Sequence, residues 1–153
     1  MLVRGHCIVW ENRDQLPTWL RTLPPPLLSA AIERIFSSII PRFQGQVMHW
    51  DVDNENMHFN FLVSQLGVNT SAYFYRKAHD MDGYAVMFLN EFGTIETPDD
   101  NVANPAKYLA KIKEIQSMGY DGPLGMGLQG HFGTPNIPYM RSALDMLKTA
   151  DIL

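Results

Sequence analysis

Four short apolar runs punctuate the sequence at near-regular intervals, with longer amphipathic segments between them. The runs cover residues 2–10, 47–52, 85–90 and 124–129, each bounded by glycine, proline or polar residues. Their brevity and their β-branched or aromatic content read as strands. They do not alternate polar with apolar, as expected of parallel strands covered on both faces.

The intervening segments repeat at helical spacing. Residues 27–43 place Leu28, Ala31, Ile32, Ile35, Phe36 and Ile39 on one side, with Pro24–Pro26 fixing the entry. Residues 71–80 carry Tyr73, Phe74 and Ala78 after an Asn69-Thr70 start. Residues 104–118 open with Asn-Pro, suited to an N-cap and a first helical position, and stop at Gly119. Residues 138–150 repeat the pattern with Met140, Ala143, Leu144 and Leu147. The chain therefore reads as four consecutive βα units, an α/β fold with parallel strands and helices packed outside them. The units begin roughly 40 residues apart, against the ~31 that eight units in ~250 residues of a barrel imply. Extra length of that kind sits in βα loops, where function is built. A complete four-unit doubly wound domain is the alternative, although no GxGxxG loop follows the first strand.

Composition narrows the function. Among 153 residues, 46% are hydrophobic and 18% charged, enough to bury a core and too apolar for a disordered chain. A net charge of −4, with its 12 Lys and Arg scattered, argues against a nucleic-acid partner. The start has no signal-peptide pattern and no window reaches the ~18 apolar residues of a membrane span. Cys7 is the single cysteine, which excludes an internal disulfide and a thiolate metal cluster.

Chemistry is concentrated at the strand ends: His6 and Trp10, then Asp51, Asn54 and Glu55, then Asn90 and Glu91, then Gln129 and His131. In a parallel α/β fold these positions line the ligand site. His6, His49, Asp51 and His131 are the candidates for a metal, but no H-x-H or H-E-x-x-H pair occurs, so neither a metal nor another cofactor is expected. No G-x-S-x-G turn supports a serine nucleophile. A carboxylate-based hydrolase remains, with Glu55 as general acid, Trp50 among the apolar groups expected around it, and Trp10 and Phe92 offered to sugar rings. The plainer readings are His49 as a packed core residue, His58 and His79 as surface or capping residues, Trp19 as packing, Asp99-Asp100 as a solvated loop and Glu96 as a loop carboxylate without a special role.

The motifs resemble a known family. Arg4-Gly5-His6 with Trp10, followed by Pro17-Thr18-Trp19-Leu20, is similar to the RGH…W…P-x-W segment of glycoside hydrolase family 10 endo-1,4-β-xylanases. His49-Trp50-Asp51-Val52-Asp53-Asn54-Glu55 resembles its WDVxNE signature, Phe88-Leu89-Asn90-Glu91-Phe92 its fifth-strand motif, and Gly127-Leu128-Gln129-Gly130-His131-Phe132 its G-L-Q-x-H-F element. Their flavour is that of plant members. The resemblance implies a partial (β/α)8 TIM barrel in which residues 1–153 hold strands three to six, with strands one, two, seven and eight absent. It implies hydrolysis of xylan or xylo-oligosaccharide with retention. Glu55 would be the acid/base; Asn54 would bond the sugar 2-hydroxyl, with His6 and Trp10 lining that subsite. Gln129 would orient Glu55, and His131 would hold the nucleophile.

That nucleophile, a strand-seven glutamate in the family, is not in the chain, and retention needs two carboxylates roughly 5–5.5 Å apart. Glu91 is a poor substitute, and Gly93 replaces an asparagine found in many members. The isolated chain is accordingly expected to be inactive alone, with a non-catalytic carbohydrate-binding remnant as the second reading. Its open strand edges are expected to cause self-association. The family resemblance implies a secreted or cell-wall location.

Overall fold

The computed structural model describes residues 1–152. The first apolar run forms two short strands, β1 (Arg4–Gly5) and β2 (Val9–Trp10), and the second likewise forms β3 (His49–Asp51) and β4 (Asp53–Asn54). The third and fourth form β5 (Val86–Glu91) and β6 (Leu124–Leu128). β1, β3, β5 and β6 make one parallel sheet in that order, and β2 pairs in parallel with β4. The breaks at residues 6–8 and at Val52 interrupt the regular ladder without parting the strands. Ile8 N–H still donates to Asp51 O (2.9 Å), Val9 N–H to Val52 O (3.1 Å) and Val52 N–H to Phe88 O (3.3 Å).

Strands thus sit side by side in the order in which they occur in the sequence. A doubly wound sheet reverses direction at a switch point, and this one has none, which removes the doubly wound alternative. The helices follow the same order. They are α1 (Pro25–Phe43), α2 (Phe61–Leu66), α3 (Thr70–Met81), α4 (Pro105–Ser117) and α5 (Ile137–Leu147). α1 packs on α3, α3 on α4, and α4 on α5, a progressive winding with each crossover beside the last. The six-residue α2 was not anticipated, and the last expected helix ends early, with 148–150 tightening into a 3₁₀ turn.

The core lies between sheet and helices. Leu28, Ile32, Phe36 and Ile40 of α1 recur every fourth residue and are wholly buried, each contributing about 1.5–3 kcal/mol of apolar transfer. Three buried tyrosines keep their hydroxyls satisfied by backbone. Tyr75 donates to Phe88 O (3.2 Å), Tyr120 donates to Pro123 O (2.9 Å), and Tyr108 donates to Leu89 O while accepting from Gly127 N–H (3.1 Å). Tyr108 therefore ties β5 to β6 from the helix layer. Gly125 lies beneath the Phe88 ring so closely that an added Cβ would sit 2.7 Å from Phe88 Cδ2. No described helix is long and apolar enough to cross a membrane.

Candidate active site

The carboxyl ends of the strands bring Trp10, Glu55 and Gln129 into one bonded cluster, with Asn54 beside it in β4. β2 and β4 pair with Trp10 opposite Asn54, which places the indole one residue from Glu55. Trp10 Nε1–H donates to Glu55 Oε2 at 2.7 Å. Gln129, just beyond β6, donates from Nε2 to Glu55 Oε1 at 2.9 Å. Both carboxylate oxygens are thus held, by residues 45 and 74 positions away. The Glu55 backbone sits in the left-handed region (φ 56°), an uncommon conformation for a side chain of this size and one that clusters at functional sites. Its surroundings impose that conformation: Glu55 N–H donates to Asn90 O (3.0 Å), and Phe59 N–H donates to Glu55 O (3.0 Å).

Asn54 is fully buried and accepts from Asn90 Nδ2 at 2.8 Å, which leaves its own Nδ2 without a protein acceptor. A buried amide N–H with no partner is costly, and it fits an acceptor brought in by a ligand. Deeper between the strands, Arg4 Nε–H donates to both Asp51 oxygens (2.9 and 3.0 Å), and the guanidinium lies 4.2 Å over the Phe88 ring. His6 Nδ1–H donates to Asp51 Oδ2 at 2.8 Å. A carboxylate only accepts, so Nδ1 carries the proton and Nε2 is the nitrogen left free. The His6 ring stands edge-on to Trp10, 6.2 Å between centroids. Arg4 and Asp51 thereby orient His6.

His131 is apart from this cluster. Its side chain is exposed, and its backbone N–H donates to Glu96 Oε1 (3.1 Å). Among the described residues no three His, Cys, Asp or Glu gather as metal ligands. Of the four metal candidates, His6 and Asp51 meet, but in a hydrogen bond. Cys7 is half-buried, and burial with nearby carboxylates pushes its thiol up to about 12, far from a reactive thiolate.

Several plain readings of the sequence are corrected. Trp50 is buried beneath the site and donates to Asp82 (3.0 Å); the indole on Glu55 belongs to Trp10. Trp19 is not packed in the core but 59% exposed. His58 is neither a surface nor a capping residue: its Nδ1 meets Glu91 Oε1 (2.8 Å) and its Nε2 meets Asp100 Oδ2 (3.0 Å). Its ring also stacks on Phe92 at 3.8 Å, so one face of Phe92 is closed to a sugar. Asp100 is not simply solvated, since it also accepts from Val102 N–H (2.6 Å) and Ala103 N–H (2.8 Å). His49 is half-buried against Phe88, 4.4 Å between rings.

Three buried acids support the strand ends around Glu55, and of these the sequence offered no role for Glu11 or Asp53 and named Glu91 without its structural part. Glu91 is wholly buried and accepts from Met57 N–H (2.9 Å) and Phe92 N–H (3.0 Å) as well as His58, so it grips the loop that carries Glu55. Burial raises its carboxyl above the ordinary range despite those donors. Glu11, also buried, accepts from Leu62 N–H (2.6 Å) and Val63 N–H (3.1 Å) at the start of α2. Burial and nearby Asp53 push it up to about 8. Asp53, itself raised by burial, accepts from Ser71 Oγ (2.5 Å) and Asn56 Nδ2 (3.0 Å). Their bracing roles do not show in the sequence, because most of their partners, Leu62, Val63, Ser71, Met57 and His58, come from distant positions.

A profile described as Glycosyl hydrolase family 10 matches residues 1–152. Endo-1,4-beta-xylanase 4 and Endo-1,4-beta-xylanase 5 of Arabidopsis thaliana are each 39% identical to this chain across 96% of its length. The chain spans 27% of the length of both relatives. Xylanase XynB from Paenibacillus barcinonensis, solved with a conduramine derivative, superposes with a TM-score of 0.84 at 23% identity, over 99% of this chain and 48% of that one. The four parallel units are therefore part of a (β/α)8 barrel, and the chain belongs to glycosyl hydrolase family 10.

Proposed function

We propose that this chain carries the acid/base wall of a cleft that hydrolyses internal β-1,4-xylosidic bonds by a retaining double displacement. The observation that carries this reading is Glu55, fixed in a left-handed backbone conformation at a strand end with one oxygen on Trp10 and the other on Gln129. A carboxyl so held protonates the leaving oxygen without reorganising, then takes a proton from water in the second step. Unpartnered Asn54 Nδ2 supports a role for that amide as donor to a sugar hydroxyl, and on this reading His6 and Trp10 line the same subsite. His131 would act on the nucleophile once that residue is present. The substrate class, xylan or xylo-oligosaccharide, is supported by the plant relatives' being endo-1,4-beta-xylanases, and a secreted or cell-wall location is what the family resemblance implies.

The other carboxylates at this end of the sheet are committed. Asp51 serves Arg4 and His6, Glu91 serves Met57, His58 and Phe92, and Glu96 serves Gly130 and His131. That supports a nucleophile supplied from outside the described residues, with residues 1–153 read as strands three to six of one catalytic domain. Without it there is no covalent intermediate, and acid assistance alone gives little rate.

Reducing-sugar release from xylan tests this. The 153-residue chain is expected to show no turnover above its Glu55→Gln variant, whereas a protein containing the whole barrel turns over and loses about 10²–10⁴-fold with that substitution. Turnover by the isolated chain that Glu55→Gln abolishes would refute the requirement for an external carboxylate. Full activity of the whole-barrel variant would refute the role of Glu55. Saturable calorimetric binding of xylohexaose by a whole-barrel protein that never hydrolyses it would favour a non-catalytic carbohydrate-binding module.

A further inference from the structure

The loop after β5 carries Glu96, a carboxylate bonded to neither Glu55 nor any residue of its cluster. Glu96 Oε1 accepts two successive backbone N–H groups from the loop after β6, Gly130 at 2.7 Å and His131 at 3.1 Å, while Oε2 accepts Ile95 N–H at 3.0 Å. The residue immediately before that pair is Gln129, whose backbone N–H donates to Glu91 O (3.1 Å) and whose side chain reaches Glu55 (2.9 Å). Gln129 is thus bracketed. The β5 end holds it on one side, and Glu96 holds the next two peptides on the other. Gly130 turns the chain there in the left-handed region (φ 71°), a conformation glycine adopts freely and therefore does not itself enforce.

The start of α5 does not need Glu96. Asn136 caps it by accepting Tyr139 N–H (3.2 Å), and Tyr139 OH ties it to Thr94 O (3.0 Å). What Glu96 alone fixes is the peptide pair beside Gln129. Charge-assisted bonds to two adjacent amides hold a loop more firmly than neutral ones, and a displacement of about 1 Å breaks a 2.9 Å side-chain bond.

We propose that Glu96 is a positioning residue, which acts through the Gly130–His131 backbone to keep the Gln129 amide on Glu55. This rests on the reading of Glu55 as the acid/base, and the test uses no substrate, so a failure of xylan hydrolysis would leave its outcome intact. A ¹⁵N-labelled protein containing the whole barrel is compared with its Glu96→Gln and Glu96→Ala variants by two-dimensional NMR. Gln129→Ala identifies the Gln129 side-chain amide pair by its disappearance.

In Glu96→Gln, the Gly130 and His131 amides are expected to exchange about tenfold faster or more, given the loss of charged acceptance. The Gln129 side-chain pair is expected to move toward the position of a free glutamine amide, further in Glu96→Ala. The Tyr139 amide should stay protected in both. Faster backbone exchange with an unmoved Gln129 side chain would reduce Glu96 to a loop staple and overturn the proposal, as would unchanged exchange. Global unfolding of Glu96→Gln would also overturn it, because the residue would then be holding the fold.

Discussion

Gly93 stands where the family resemblance leads one to expect asparagine, and the structure makes the cost of that residue measurable. Gly93 has φ +80°, which asparagine tolerates better than most residues. Space is the obstacle. A Cβ there would overlap Asp100 Oδ2 and stand 3.2 Å from Asp100 Cγ. Asp100 cannot retreat freely, because it is held at 2.6 Å by Val102 N–H, at 2.8 Å by Ala103 N–H and at 3.0 Å by His58 Nε2. Relieving the overlap requires a shift of about 1 Å, enough to break two of those bonds, at roughly 1.5 kcal/mol or more for each bond to a charged group. Gly93→Asn is expected to destabilise the protein by about 2–4 kcal/mol, or about 5–15 °C at the scaling for a domain of this size. The companion Asp100→Ala loses the same bonds directly and empties the space. The double variant should therefore fall well short of the sum, with a coupling of about 2 kcal/mol in the urea-denaturation cycle. Additive losses, or a Gly93→Asn protein as stable as the parent, would refute the packing argument.

Three further outcomes follow from the same geometry. Glu11, Asp53 and Glu91 are all raised by burial, so over the window from the ordinary carboxylate range to about 8 the folded protein binds more protons than the unfolded chain. Stability then falls as pH rises through that window, and urea midpoints are expected to be higher near pH 6 than near pH 8.5, the opposite trend contradicting the assignment. Gly125→Ala should cost about 1–3 kcal/mol by driving a methyl into the Phe88 ring, measurable as a lower thermal midpoint. Expressed as these 153 residues, the chain should self-associate through the outer sides of β1 and β6, and sedimentation as a clean monomer at micromolar concentration would count against this.

Much of the fold was legible because it is written in local patterns. The apolar positions of α1 recur with the helix period, Asn104-Pro105 and Asn136 sit where caps belong, and four apolar runs separated by helices imply parallel strands. The boundaries moved by one to three residues. The splitting of the first two runs, and α2, were not visible, since pairing irregularities depend on the neighbouring strand. At the site, Glu55, Trp10, Asn54 and Gln129 were named through motif resemblance, and the structure brings them together. His131, named as the residue that would hold the nucleophile, has an exposed side chain outside that cluster. His58 and Asp100 were read as ordinary surface groups, because nothing in the sequence shows that residues 42 positions apart face one another.

The sequence by itself determined the order of elements, the parallel sheet and the family, because hydrophobic period and motif spacing are properties of the chain. Which donors each carboxylate meets only the tertiary structure decided. Glu11, Glu55, Glu91 and Glu96 are the same side chain in four settings. One oxygen pair is turned toward Trp10 and Gln129 at the strand ends, while the others face backbone N–H groups brought from distant turns. A carboxylate's role is set by the donors around it and by its burial, and both exist only once the strands are side by side.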